Sequence, residues 1–151
     1  MEIIMELRGV EDVNGIYGFI FSLSNRIQTI GDKEFDDITI KQHFLMIGLM
    51  MFQEPPTLKE MGQLIGCSYQ NVKRMAQQLQ KNGYLNIVQD EHDKRKQLII
   101  PTDKIVKQSE QISERSEVFM QKLYQGIPKE DLAVTLKTLM KMDQNIGGII
   151  E

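Results

Sequence analysis

From Thr57 to Pro101 the chain reads TLKEMGQLIGCSYQNVKRMAQQLQKNGYLNIVQDEHDKRKQLIIP, and few folds accept that order. Thr57-Leu58-Lys59-Glu60 is a capping box, in which the Thr hydroxyl and the Glu carboxylate each satisfy an orphan amide of a helix start. Leu58, Met61, Leu64 and Ile65 then fall on one helical face, and Gly66 supplies a left-handed turn residue. Ser68 caps a second helix whose inward positions are Val72, Met75, Ala76 and Leu79, and Gly83 closes it. Two short strand-like runs, 85–89 and 97–100, flank the charged loop DEHDKRK. Two capped helices meeting at a glycine turn, followed by a hairpin with a charged tip, spell a winged helix-turn-helix. That shape lays its second helix in a nucleic-acid groove and reaches out with the hairpin.

The flanks read as helices. Residues 13–30 place Ile16, Ile20, Leu23 and Ile27 on one stripe, Phe19 and Phe21 widen it, and Gly31 is expected to end it. Thr39-Ile40-Lys41-Gln42 is another capping box. The helix after it, to about Phe52, is apolar nearly all round, as suits a helix buried between layers. Gln53-Glu54-Pro55-Pro56 breaks it. Thr102 opens a long helix to about Gln125, with Ile105, Ile112, Phe119 and Leu123 in line. Gly126 and Pro128 interrupt it, and a last helix over 129–150 carries Leu132, Leu136, Leu139, Met142 (or Met140) and Ile146. The expected fold is mainly α: a winged helix-turn-helix over 35–101, six helices and one β-hairpin wing in all. The terminal segments, 1–34 and 102–151, are more apolar than one winged unit can cover. Their economical use is as N- and C-terminal dimerisation helices interleaved about a two-fold axis, with a monomeric helical core as the alternative.

The net charge of the 151 residues is −3, which at first speaks against a nucleic-acid partner. The distribution reverses that. Residues 68–97 hold six Lys/Arg against three Asp/Glu, whereas residues 1–67 hold five against ten. The basic excess sits where phosphate contacts are needed. One cysteine and no run of 18 apolar residues exclude a disulfide framework and argue against a membrane span. The acidic start, MEIIMELRGVED, lacks the basic leader and apolar run of a secretion signal, so a cytoplasmic setting is expected.

Candidate contacts follow from geometry. At the start of the second helix of the motif, Tyr69, Gln70, Asn71, Lys73 and Arg74 face outward, and Ser68 and the helix amides point at a phosphate. Gln70 suits adenine and Arg74 guanine in the major groove, so these two are expected to read bases. Tyr69 and Lys73 suit phosphate or sugar, and Asn71 is also placed to complete the Ser68 cap. At the hairpin tip Lys94, Arg95 and Lys96 form a cationic finger. Arg95 fits a narrow minor groove, with Asp93 orienting it through a bidentate contact. Solvated polar faces are the bland reading of every one of these positions.

The run S-Y-Q-N-V-K-R-M-x-x-x-L-x-x-x-G-Y-L from Ser68 to Leu85, the wing residues Asp90, Asp93 and Arg95, and the T-x-x-Q helix start at Thr39 together resemble the MarR family of bacterial transcriptional regulators. The resemblance spans nearly the whole chain. It implies a triangular homodimer, with residues 13–30 and 103–150 as its dimerisation helices, on a pseudo-palindromic double-stranded DNA operator with half-sites about one helical turn apart. It implies a repressor, less often an activator, released by a small-molecule effector or an oxidant, with Arg95 as the wing arginine. One departure stands out: Glu91 follows the first wing Asp where a Pro is common, which leaves the loop's rigidity open.

The resemblance also implies an effector cleft for a phenolic or carboxylated aromatic between the dimerisation helices and the winged unit. Tyr17, Ile20, Leu23, His43, Phe44, Met46, Ile47 and Met50 are its candidates, with plain core packing as their alternative. Cys67, the single thiol, lies just before a helix N-terminus, where oxidation would disturb DNA contact, although a lone cysteine more often packs as a small hydrophobe. His43, His92 and Cys67 have no zinc-ligand spacing, so no metal and no cofactor are expected. No Gly-rich phosphate loop, triad or carboxylate pair appears, so no enzyme is expected. A winged-helix module that docks protein in place of DNA is the competing function, and steep salt dependence of binding would separate the two.

Overall fold

Side-chain caps at Thr39, Thr57 and Ser68 fix where three of the helices begin. The computed structural model describes residues 9–149; the acidic leader reading and the outermost ends of the segments 1–34 and 102–151 lie outside the described residues. Helix α1 spans Asp12–Gly31, α2 Ile40–Met50, α3 Leu58–Ile65 and α4 Tyr69–Lys81. Strands β1 (Leu85–Gln89) and β2 (Gln97–Pro101) follow, then α5 (Asp103–Leu123) and α6 (Lys129–Asn145). Six helices and a two-stranded antiparallel hairpin make a mainly α winged helix, as expected from the sequence. Both capping boxes form in full at Thr39/Gln42 and Thr57/Glu60. Each is worth about 1 kcal/mol of helix stability. The Glu60 carboxyl titrates below its usual range, mainly because it accepts the Thr57 backbone N–H.

The turn between α3 and α4 is tight for two reasons. Gly66 takes φ +69°, which an L side chain resists. A Cβ on Gly62 would lie 2.9 Å from the Cys67 carbonyl oxygen, so glycine lets the turn close directly over α3. Gly31 ends α1 as expected, but without a left-handed φ. It is the last helical residue of α1, buried beneath Ile40, where a Cβ would meet Cγ1 at 2.9 Å. It serves close packing of α1 on α2 and not a left-handed stop. The last helix also stops earlier than expected, at Asn145, because Gly147 turns the chain at φ +98°.

The core belongs to the winged unit. Leu45, Leu58, Met61, Val72, Ala76, Leu79, Tyr84, Leu85 and Ile99 are fully buried and form one cluster. Burying side chains of this size contributes about 1.5–3 kcal/mol apiece. In the hairpin Ile87 pairs with Ile99 and Val88 with Leu98. Pro56 adds a tie the sequence did not announce: its carbonyl accepts the Ile99 N–H at 2.8 Å, and Thr57 bridges Leu98. The wing is thereby fastened to the start of α3. By contrast α1 buries only Gly31, and α6 buries no residue at all.

Candidate nucleic-acid interface

Helix α4 presents its polar side because its apolar positions are spaced to face α3 and β1. Ser68 accepts the Asn71 N–H at 3.3 Å, so the Asn71 backbone, not its side chain, completes the cap. Gln70, Asn71 and Arg74 are exposed, and Lys73 is half-buried. The Arg74 guanidinium rests 3.5 Å from the Asn71 side-chain oxygen, a loose contact that leaves its fork available. Tyr69 leans away from these residues toward the wing, its hydroxyl donating to Gln97 at 3.4 Å.

The wing tip is ordered without a proline. The Asp90 carboxylate accepts the backbone N–H groups of His92 (2.7 Å) and Asp93 (3.2 Å), an Asx turn that takes the place of a ring. Those two bonds hold its carboxyl below the usual range. Asp90 N–H donates to the Lys96 carbonyl and Lys96 N–H to the Asp93 carbonyl, while the Gln89 amide donates to the Lys94 carbonyl at 2.6 Å. Asp93 receives both the Arg95 backbone N–H and its Nε–H at 3.1 Å, with the second guanidinium nitrogen 3.3 Å from Oδ2. That fork lowers the Asp93 pKa, the side-chain contact first and the backbone bond second. The Arg95 side chain is 91% exposed, held in direction by Asp93 but not covered.

These pieces meet in space. Tyr69 from α4, Arg95 and Lys96 from the wing, and Lys59 and Gln63 from α3 line one groove of about 690 Å³. On the opposite flank of α4, Asn71 and Arg74 border a second groove with Lys41, Gln42 and Gln78. Lys41, Lys59, Gln63 and Gln78 were not singled out from the sequence. Their signal was faint, because single polar residues on a helix, whether inside a capping box like Lys41 and Lys59 or away from one like Gln63 and Gln78, read as ordinary helix surface. Lys94 is exposed beside Arg95, and Ser68 is exposed at the helix start.

The expected effector residues divide between two faces of α2. Ile20, Leu23 and Phe44 line an apolar cleft of about 420 Å³ with Ile27, Met75, Cys67 and Leu139, bordered by Lys41 and Gln28. His43, Met46, Ile47 and Met50 line a smaller one against α5, with Ile105, Ile112 and Ser109, Ser113 and Ser116. Tyr17 lines neither; it is exposed on α1, edge-on to Phe21 at 5.2 Å. The division follows from helical geometry: His43, Met46, Ile47 and Met50 recur at three- and four-residue spacing on one face, while Phe44 is turned about 100° from His43. His43 is 8% exposed and stacks on Phe35 at 4.9 Å, and burial lowers its pKa. Among the described residues no group of three or more His, Cys, Asp and Glu is placed to hold a metal ion, and no helix is long and apolar enough to cross a membrane.

Against solved structures most of the chain aligns. A MarR protein from Peptoclostridium difficile superposes with a TM-score of 0.78 at 22% identity, covering 97% of this chain and 95% of that one. The fold is the MarR-type winged helix. An organohalide-sensing transcriptional regulator in its 2,4-dichlorophenol-bound form gives 0.77 at 17% identity, over 96% of this chain and 89% of that one. The regulator AbfR, reduced and bound to DNA, gives 0.71 at 19% identity, over 89% and 93%. No protein-family model matches the chain, and no curated protein does. At these identities the MarR-type likeness is one of architecture.

Proposed function

We propose that the chain is a MarR-family transcriptional regulator without catalytic activity, a cytoplasmic homodimer that binds a pseudo-palindromic duplex. The observation that carries this reading is the shared groove: the first residue of α4 and the cationic wing tip face the same opening. Gln70 and Arg74 enter the major groove as base readers, and Ser68, Tyr69, Asn71 and Lys73 hold the backbone. Lys94, Arg95 and Lys96, with Asp93 orienting the guanidinium, follow the minor groove. The DNA-bound neighbour supports this reading, as does the concentration of positive charge within residues 68–97.

Dimerisation is supported by what one chain leaves bare. Phe19, Phe21, Ile16, Leu23, Val134 and Leu136 are all exposed on α1 and α6. That many exposed large apolar side chains on two helices that bury almost nothing marks an interface. The neighbour crystallised with 2,4-dichlorophenol supports a small aromatic effector. The cleft of about 420 Å³ suits it in size and apolar lining, and Met75 and Cys67 connect that cleft to the recognition helix, so an occupant would press on α4. Release of a repressor from its operator is the consequence we assign to that pressure.

The test is selection of binding sites from random duplex, followed by titration of the selected site at increasing salt. Affinity should fall steeply, as counterion release demands. A folded protein that selects no sequence, or binds with no salt dependence, would remove the reading and favour a protein-docking role. Thermal shift with chlorinated phenols and aromatic acids tests the effector separately.

A further inference from the structure

A densely hydrogen-bonded junction lies away from the two polar grooves, where the turn after α4 meets the start of α5. Tyr84 is fully buried there, yet it keeps a polar hydroxyl. That hydroxyl meets the Asp37 carboxylate, in the loop before α2, and the Gln108 side-chain amide, on α5, at 2.7 Å. One O–H has one proton and a carboxylate only accepts. Tyr84 therefore donates to Asp37, and the Gln108 amide must turn its NH2 to donate to the hydroxyl oxygen. Burial first, then Asp37, pushes the phenol far above its ordinary pKa, so it stays a donor. The Lys104 ammonium sits 4.3 Å over the ring and donates to the Asn82 carbonyl at 2.6 Å, while Asn82 donates to the Asp37 carbonyl at 3.2 Å. Thr102 donates to the carbonyls of Gly83 and Tyr84, and Arg115 pairs with Asp36 at 3.4 Å. Three segments, the 32–39 loop, the end of α4 and α5, are thus tied at one side chain.

We propose that Tyr84 is a positioning residue that sets the angle between the recognition helix and α5, and with it the half-site spacing the dimer accepts. The inference rests on the regulator reading above. The lever is long: the 21 residues of α5 extend about 30 Å at 1.5 Å per residue. A tilt of about 10° at its base moves the far end by about 5 Å, more than one 3.4 Å base step. A single ring with two hydrogen bonds to different elements fixes such an angle. Apolar packing, which tolerates sliding, fixes it less well. Nothing in the junction touches the face of α4 that meets DNA, so its effect falls on spacing and not on base preference.

The experiment uses Tyr84→Phe, which keeps the ring, its volume and the Lys104 contact, and Gln108→Met, which cuts only the α5 arm. Each is measured on the selected operator, on operators with one or two base pairs added to or removed from the spacer, and on a single half-site. The wild type should lose about tenfold or more in affinity at a wrong spacing. The variants should show a flattened spacing profile with single half-site affinity unchanged. An unaltered profile in both variants, or an equal loss on every duplex including the half-site, would overturn the proposal. A DNA-independent arm separates the two readings. Spin labels at Gln77→Cys and Glu114→Cys in a Cys67→Ser background, diluted with unlabelled protein, report the α4–α5 distance within one chain. Tyr84→Phe should broaden it. An equal width in both would sink the clamp even if the protein proved to bind no DNA at all, whereas broadening without DNA binding would leave the clamp standing and the regulator reading at fault.

Discussion

At the scale of single residues, exposure decides which changes register in stability and which in binding. Arg95 projects into solvent with its guanidinium held by Asp93. Replacing it with alanine removes little from the fold and should weaken DNA binding by about 1–3 kcal/mol. Anisotropy titration beside a melting curve checks both halves; an unchanged affinity in a folded protein takes the wing out of the mechanism. His43 works in the other direction. Burial holds its imidazole below the ordinary value, so as pH falls the unfolded chain takes up this proton before the folded one does. The stability carried by the neutral ring is complete above about pH 6.5 and is lost as pH drops from there through the folded value. The melting temperature of the wild type should therefore fall more steeply between pH 7.5 and pH 5 than that of His43→Gln. Parallel curves would show that the ring does not titrate with folding.

At the scale of elements, the α3–α4 turn is a tight constraint. A methyl group on Gly62 meets a backbone carbonyl, which cannot swing aside as a side-chain tip would. Gly62→Ala should cost about 1–3 kcal/mol through forced separation of α3 from the turn. Chemical denaturation reads the cost directly, and a neutral result would mean that the turn has slack. Thr57→Ala removes one half of a complete capping box and should cost about 1 kcal/mol. Its effect should extend to the wing, because Thr57 also bridges Leu98. Faster amide exchange in β2, compared with a Thr39→Ala control, tests that link.

At the scale of the whole molecule, the bare apolar faces dominate. Leu136 on α6 is 60% exposed in the single chain. Leu136→Glu should therefore hardly alter the fold of one protomer, yet place a charge inside the proposed dimer interface, at a cost of several kcal/mol to assembly. Sedimentation equilibrium at micromolar concentration should show the 17.5 kDa species gaining at the expense of the dimer. A wild type that sediments as a monomer would end the dimer reading outright.

Local chemistry was legible before any coordinates. The capping boxes at Thr39 and Thr57, the Ser68 cap and the left-handed Gly66 each depend on residues within four positions of one another, and the two hairpin strands pair across at most 16 positions, so local backbone hydrogen bonding fixes them with no knowledge of the rest of the chain. The order of those elements, and with it the winged fold, was therefore carried by the sequence alone. Tertiary structure decided the remainder. The Gln28–Lys41–Phe44 cleft and the His43–Ser109 cleft separated because adjacent positions on α2 point about 100° apart. The Pro56–Ile99 tie and the Tyr84 junction join residues far apart in the chain, through single polar atoms that leave no periodic trace. Gly31 ends α1 as its sequence position suggested, but its second role as a contact surface for Ile40 was hidden, because what a glycine lacks matters only once a neighbour has been brought against it.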